Sequence, residues 1–212
     1  MKYLLSLLFL FFFNISFASV STDLSAPSFE LVDSYGENIS LLNFKGNTVV
    51  LEWTNHDCPY VAKHYATGNM QNTQKQAKEE GVVWLTIISS APGTQGYVLP
   101  DKANELTSTR NAEPNHVLFD PEGGVGKMYG AKTTPHMYVI DKKGVLRYQG
   151  AIDDAGGQRF WTKNLLEADN YVKNALSDLQ NKQEVSTKVS KPYGCSVKYK
   201  ILFLLVRFKN IA

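Results

Sequence analysis

Residues 49–65 read Val-Val-Leu-Glu-Trp-Thr-Asn-His-Asp-Cys-Pro-Tyr-Val-Ala-Lys-His-Tyr. The β-branched and aromatic run from Thr48 to Trp53 predicts a buried strand, and the segment after Pro59 has helical character. Proline suits the first position of a helix, because its fixed φ fits the helix and its missing N–H would have no partner there. Cys58 is therefore predicted to be the N-cap, where unpaired backbone N–H groups and the helix dipole favour the reactive thiolate. The alternative is a buried structural cysteine.

The first 18 residues have the features of a secretory signal peptide. An early cation, Lys2, precedes an apolar stretch from Tyr3 to Phe13, and small residues follow in Ser16-Phe17-Ala18. The apolar stretch falls short of the roughly 20 residues that a spanning helix needs. We therefore expect export, to a periplasm or to the medium, with an uncleaved membrane anchor as the alternative.

Composition narrows the possible partners. The chain has 22 basic and 20 acidic residues without a long run of either sign, which gives no electrostatic reason to expect nucleic acid. Its two cysteines, Cys58 and Cys195, are compatible with a disulfide in an exported protein but too few for a disulfide framework. The fold must therefore depend on its hydrophobic core.

Strand and helix patterns alternate along the chain and predict one α/β domain over residues 24–182. We expect a mixed, mostly parallel central sheet with helices on both faces and an added antiparallel hairpin. A polar linker and a tail occupy residues 183–212; the tail carries Cys195 and ends in an apolar stretch from Ile201 to Phe208 that is too short to span a bilayer. The predicted strands are 29–33, 39–42, 48–53, 82–89, 117–119, 136–140 and 145–149, and the predicted helices are 59–80, 101–111 (capped by Asp101), a brief one ending near 129, and 159–180.

Four stretches resemble one known group, the thioredoxin-fold redoxins, and in particular the peroxiredoxin-like (AhpC/TSA-type) proteins. These stretches are 51–59 around Cys58, 126–136, the strand end 139–141, and 194–198, which is similar to a cysteine-bearing tail of exported members. The resemblance covers about residues 26–199. It implies a thioredoxin-like fold with an N-terminal strand extension, and thiol-dependent redox chemistry.

The resemblance to peroxiredoxins is incomplete where those proteins orient the peroxide. Peroxiredoxins place proline and threonine seven and three residues before the reactive cysteine, and this chain has Leu51 and Asn55 there, with Thr54 one position away. They also place an arginine where this chain has Pro135. The pair Thr134-Pro135 instead resembles the cis-proline of thioredoxin-type oxidoreductases, which lies against the reactive cysteine and helps to bind a partner's backbone.

A second thiol must come from outside the Cys58 loop, because the Cys-x-x-Cys motif of thioredoxins is absent. Cys195 is the only other cysteine. The mechanism we expect has Cys58 attack a disulfide or a peroxide and Cys195 close an intramolecular disulfide. The partner would be a thiol or disulfide protein or a small hydroperoxide, without a cofactor, and membrane contact would be limited to an uncleaved signal or the apolar tail.

Several residues near Cys58 are candidates for supporting roles. His56, Lys63 and His64 could lower the Cys58 pKa by opposing the charge of the thiolate, although Lys63 and His64 could equally lie on the exposed side of the helix. Arg110 and Arg147 could orient a peroxide. Asp153 and Asp154, which follow a predicted strand, could line the site.

Two other classes of function remain open on the sequence. A binding module without catalysis would hold Cys58 and Cys195 in a permanent structural disulfide. A copper carrier similar to Sco-type chaperones would use His56, Cys58, His136 and Cys195 as ligands, although only one cysteine stands at the helix start.

Overall fold

The computed structural model describes residues 20–156, 165 and 167–200, so the predicted signal peptide and the apolar C-terminal stretch lie outside the described residues. No helix among the described residues is long and apolar enough to cross a membrane. The strands are β1 (Glu30–Asp33), β2 (Asn38–Ser40), β3 (Val49–Trp53), β4 (Val83–Ile88), β5 (His116–Phe119), β6 (Thr133–Thr134), β7 (His136–Ile140), β8 (Leu146–Gly150) and β9 (Cys195–Ser196). The helices are α1 (Pro59–Ala66), α2 (Asn69–Glu79), α3 (Pro100–Thr109), α4 (Gly124–Tyr129) and α5 (Tyr171–Gln180), with a 3-10 turn at Leu41–Phe44.

Seven strands form a mixed sheet in the order β2-β1-β5-β4-β3-β7-β8. The central strand β4 pairs in parallel with β3 and β5, as its nearly continuous apolar sequence predicts. The outer pairings are antiparallel, including the predicted β7–β8 hairpin. The predicted mixed sheet with its antiparallel hairpin is confirmed, although parallel pairing is confined to the centre and the antiparallel part is larger than expected.

Alternate residues of the central strands enter two cores, one on each face of the sheet. Val50 and Trp84 pack on one face against α1, α2 and α5, whereas Leu51 and Leu85 pack on the other face against α4. Both faces are apolar, so β3 and β4 are apolar along nearly their whole length. This double burial fixes the carboxyl end of β3, from which the Cys58 loop leaves the sheet.

The helix predicted over residues 59–80 is two helices. Gly68 adopts a left-handed φ of 74°, a conformation that costs glycine little, and it is the residue before α2. Gly81, also left-handed, follows the end of α2 as predicted. The break leaves α1 as a short helix whose first residue follows Cys58.

Two other helix starts differ from the prediction. Leu99 is the N-cap of α3, with Pro100 in the first turn, so Asp101 lies inside the helix instead of capping it. Asn170 caps α5 through a hydrogen bond from the Lys173 N–H, at 3.0 Å, and residues 167–170 are not helical. Most of the predicted start of this helix, 159–164 and 166, lies outside the described residues. The predicted strand 39–42 also ends early, at Ser40, which caps the 3-10 turn.

The segment after α5 runs back along the domain to the Cys58 loop. Val189 bridges Gln149 at the edge of β8, and the strand β9 pairs antiparallel with β6. The register sets Thr134 opposite Cys195 and Thr133 opposite Ser196. The tail is therefore an added strand beside the residues that precede Pro135.

Candidate active site

Cys58 is the N-cap of α1 and Pro59 occupies the first turn, as the sequence predicts. Asn55 shapes the loop before it: its carbonyl accepts the Cys58 N–H at 3.0 Å, and its side-chain oxygen accepts the Asp57 N–H at 2.9 Å. The Asn55 amide also lies against Gly96 in the neighbouring loop. Cys58 is 0% exposed.

The sulfur of Cys58 lies between two segments that are distant in sequence. Its thiol donates to the Thr134 carbonyl, with Sγ 3.1 Å from the oxygen, and the Cys195 N–H donates to Sγ at 3.4 Å. The Thr134–Pro135 peptide bond is cis, and Thr134 is 1% exposed. Four of the predicted site residues, Cys58, Thr134, Pro135 and Cys195, thus converge, and both cysteines are free thiols.

These contacts separate the pKa values of the two thiols. Burial acts to raise the Cys58 pKa, but the Cys195 thiol, the Val61 N–H, the Thr134 side chain and the Cys195 N–H together hold that pKa below its ordinary value. Val61 lies in the first turn of α1, so the start of the helix itself favours the thiolate. Burial and the Cys58 sulfur raise the Cys195 pKa to about 12. The thiolate is therefore favoured on Cys58 over Cys195.

A buried polar cluster anchors the tail two residues before Cys195. The Tyr193 hydroxyl donates to the Asp153 carboxylate and lies 3.1 Å from His64 Nε2. The Asn69 amide donates to both His64 Nδ1, at 2.9 Å, and Asp153 Oδ2, at 3.1 Å. His64 is 0% exposed, and burial followed by the Lys63 charge lowers its pKa to about 4, so it is neutral at pH 7. Neutral His64 with Nδ1 as acceptor can donate from Nε2–H to Tyr193, which completes the network.

The motifs in the sequence do not point to Tyr193 or Glu52 as site residues. Glu52 is 0% exposed on β3, and burial raises its pKa even though Trp84, Tyr65 and Thr86 donate to its carboxylate. Because Tyr65 belongs to α1, this carboxylate ties the helix of Cys58 to the sheet. The sequence did carry a signal for Glu52, because it is the only charged residue in the otherwise apolar strand β3.

The predicted supporting residues lie in or near the Cys58 loop, but other groups set the pKa of Cys58. Thr54 joins the loop to β4 through its N–H, which donates to the Ile87 carbonyl at 3.0 Å. His56 pairs with Asp57 at 3.1 Å, and its pKa is lowered by burial. Lys63 is half-buried beside Asp153. His64 is buried and not on an exposed helix face.

The two candidate arginines are both engaged by other groups of the protein, and Arg110 contacts the Cys58 loop itself. Arg110 donates to the His56 carbonyl at 3.1 Å and stacks on the Tyr65 ring. Arg147 pairs with Asp141 and Asp23.

Within the part of the chain that the structure describes, no three His, Cys, Asp or Glu side chains form a group that could hold a metal ion, so the copper hypothesis has no cluster there to support it.

A cysteine that caps a helix beside a cis-proline on a sheet of this topology defines a thioredoxin-fold protein. The sequence profile of the Redoxin family matches residues 22–159, and the chain belongs to that family. A Mycobacterium tuberculosis (strain H37Rv) protein named "Putative peroxiredoxin" is 26% identical over 133 residues, which covers 62% of this chain and 77% of that protein. The chain is thus an oxidoreductase of the redoxin type.

Solved structures agree on the fold. An uncharacterized conserved protein from Geobacillus kaustophilus superimposes with a TM-score of 0.74 at 22% identity, over 86% of this chain and 94% of its own. A Chlorobium tepidum protein described as a "putative Thiol:disulfide interchange protein DsbE" gives a TM-score of 0.50 at 24% identity, over 62% and 85%. The first likeness covers nearly the whole of the Geobacillus chain.

Proposed function

We propose that the protein is an exported thiol–disulfide oxidoreductase in which Cys58 attacks a disulfide of a partner and Cys195 resolves the product. The observation that carries this proposal is the position of the Cys58 sulfur, in contact with the cis-proline segment at Thr134 and with Cys195. Thr134 and Pro135 would align the partner's backbone. Asn55, Pro59 and the Glu52–Tyr65 contact would hold the loop and helix that position the sulfur.

The reaction balances as two thiol–disulfide exchanges. The Cys58 thiolate bonds to one sulfur of the partner's disulfide, and the other sulfur leaves as a thiolate that takes up a proton. Cys195 then loses its proton and attacks the Cys58 sulfur, which releases the partner's second thiol. Bonding of Cys58 removes the sulfur charge that helps to raise the Cys195 pKa, so the first step prepares the second. The partner is reduced and the protein is oxidised.

Peroxide reduction is the second candidate, favoured by the name of the mycobacterial relative. The Cys58 thiolate would take one oxygen from a small hydroperoxide to give a sulfenic acid and an alcohol. Cys195 would then form the same disulfide with loss of water. Leu51 and Asn55 occupy the positions of the proline and threonine that the resemblance assigns to peroxide binding, so disulfide exchange is the function we prefer.

Oxidised glutathione tests the pairing of the two cysteines directly. Reduced wild-type protein is expected to lose two hydrogens in mass and to yield one peptide pair that links Cys58 to Cys195. The Cys195→Ser variant should instead accumulate glutathione on Cys58. Stable glutathione on wild-type Cys58, without the internal link, would exclude Cys195 as the resolving residue.

Export and domain limits are part of the same proposal. The signal-like pattern of residues 1–18 supports removal of that segment, which would leave a redoxin domain over residues 24–182 followed by the cysteine-bearing tail 183–212. Protein recovered from an expressing bacterium is then expected to begin near Ser19. A mature N-terminus at Met1 with all of the protein in the cytoplasm would overturn export.

A further inference from the structure

The tail lies in its groove as an extended ligand strand. Residues 193, 195, 197 and 199 all face the domain, which is the period of two expected of a β-strand. Tyr193 contacts Asp153, and Cys195 contacts Cys58. Val197 packs on the core that contains Leu51 and Leu85. The backbone after the cysteine is paired with two segments of the domain: the Val197 N–H donates to the Lys132 carbonyl at 3.1 Å, and the Ala91 N–H donates to the Lys198 carbonyl at 2.9 Å. This is the pattern by which an added strand is recognised, with main-chain pairing for affinity and alternate side chains for specificity.

The groove has an aromatic subsite four residues beyond the cysteine. The Tyr199 hydroxyl donates to the Ala131 carbonyl at 2.7 Å, and Lys127 Nζ lies 5.6 Å from the centre of the ring. Glycines form the wall of the subsite. A Cβ at Gly123 would lie 2.5 Å from the Tyr199 ring, and a Cβ at Gly126 would lie 2.5 Å from its hydroxyl.

The groove also restricts the residue before the cysteine. A Cβ on Gly194 would lie 2.0 Å from the Thr134 carbonyl oxygen, and Gly194 has a φ of +136°. Thr134 is buried and belongs to the cis-proline segment, so its backbone cannot easily give way. An occupant of the groove therefore needs glycine directly before its cysteine.

We propose that the groove between the cis-proline segment and Gly123–Lys127 is a substrate site for an extended polypeptide that carries Gly-Cys followed, four residues after the cysteine, by an aromatic residue. The tail of this chain occupies the site in the absence of a partner, and the partner strand displaces it. This inference rests on the proposed function, because the bound cysteine is the one that Cys58 attacks. It adds a substrate class defined by the residues around the reacting sulfur.

Activated peptides test the site on the full chain. Residues 192–200 provide the peptide Pro-Tyr-Gly-Cys-Ser-Val-Lys-Tyr-Lys, whose cysteine is converted to a mixed disulfide with 5-thio-2-nitrobenzoate. Cys58 bonds to the peptide sulfur and releases the coloured aromatic thiolate, the better leaving group. The protein carries Cys195→Ser, which prevents resolution, and Tyr199→Ala, which vacates the aromatic subsite.

The rate of colour release is expected to be about tenfold higher for this peptide than for one with alanine in place of the second tyrosine, the factor given by about 1.4 kcal/mol. A peptide with valine before the cysteine should also react about tenfold more slowly than the parent. Addition of Gly126→Ala to the protein should remove the preference for tyrosine. Equal rates for all three peptides would overturn the substrate site.

The free aromatic disulfide 5,5′-dithiobis(2-nitrobenzoate) separates this inference from the proposed function. It reports the reactivity of Cys58 without any peptide contact, and the parent protein should react with it. Reaction with this reagent but equal peptide rates would leave disulfide exchange standing and refute the substrate site. No reaction of Cys58 with any disulfide would refute both. If Gly126→Ala fails to fold, the three peptides still decide the matter on the parent protein.

Discussion

Replacement of Cys58 by serine is expected to abolish both disulfide reduction and hydroperoxide consumption, with a loss of at least about a thousandfold in either activity. The reason is that the site favours a thiolate on Cys58, through the Cys195 thiol and the Val61 N–H, whereas a serine hydroxyl stays protonated. No general base contacts the sulfur among the groups that set its pKa. Steady-state assays with a protein disulfide and with a small hydroperoxide measure the two losses separately.

Cys195→Ser is the matched control for this prediction, since it makes the same chemical change 137 residues away, on the facing strand. It should keep the first attack by Cys58 in a single turnover and lose repeated turnover. A Cys58→Ser protein that is folded and still turns over either substrate would refute the reactive-thiol proposal. If both variants lost single-turnover activity equally, the assignment of Cys58 as the nucleophile would be wrong.

Gly194→Ala is expected to release the tail from the Cys58 sulfur. The added methyl group would meet the Thr134 carbonyl, and the backbone at +136° is one that alanine rarely adopts. Cys58 is fully buried with the tail in place, so its alkylation by iodoacetamide should rise by at least about tenfold once the tail is displaced. Formation of the internal disulfide should slow in parallel. Mass spectrometry of the alkylated peptides measures each cysteine separately.

Gly36→Ala controls for the general strain of alanine at a positive φ. Gly36 lies in the turn between β1 and β2 with a φ of +85°, and nothing would lie within 4 Å of its added Cβ. It should leave the Cys58 alkylation rate unchanged. An unchanged rate in Gly194→Ala as well would show that the tail does not shield Cys58 in solution.

Local sequence signals were sufficient for the parts of the fold that depend on neighbouring residues. Pro59 and the apolar run before it located the strand–helix junction at Cys58, and the continuous apolar sequence of β4 predicted a central parallel strand. The sequence signals were weaker where a single residue determines where a helix begins or ends. Gly68 splits the predicted helix because its left-handed backbone cannot continue an α-helix, and Asn170 starts α5 by capping.

The site was predictable only in part, because its chemistry depends on contacts that are remote in sequence. Thr134-Pro135 and Cys195 could be named from motifs and from the cysteine count. The register that sets Cys195 opposite Thr134 could not, because a two-residue strand carries no periodic signal. The contact of Tyr193 with His64 joins residues 129 positions apart and has no local signature.

The pairing of β9 with β6 has a consequence for oxidative damage. The strand that covers Cys58 also carries Cys195, so shielding of the first thiol and delivery of the second are one structural event. Whenever the tail leaves the groove and no partner takes its place, a sulfenic acid that a hydroperoxide forms on Cys58 has lost its neighbour, and a second hydroperoxide can oxidise it to the irreversible sulfinic acid. We therefore expect the protein to be most exposed to permanent inactivation while its tail is displaced, and safest with the tail in the groove.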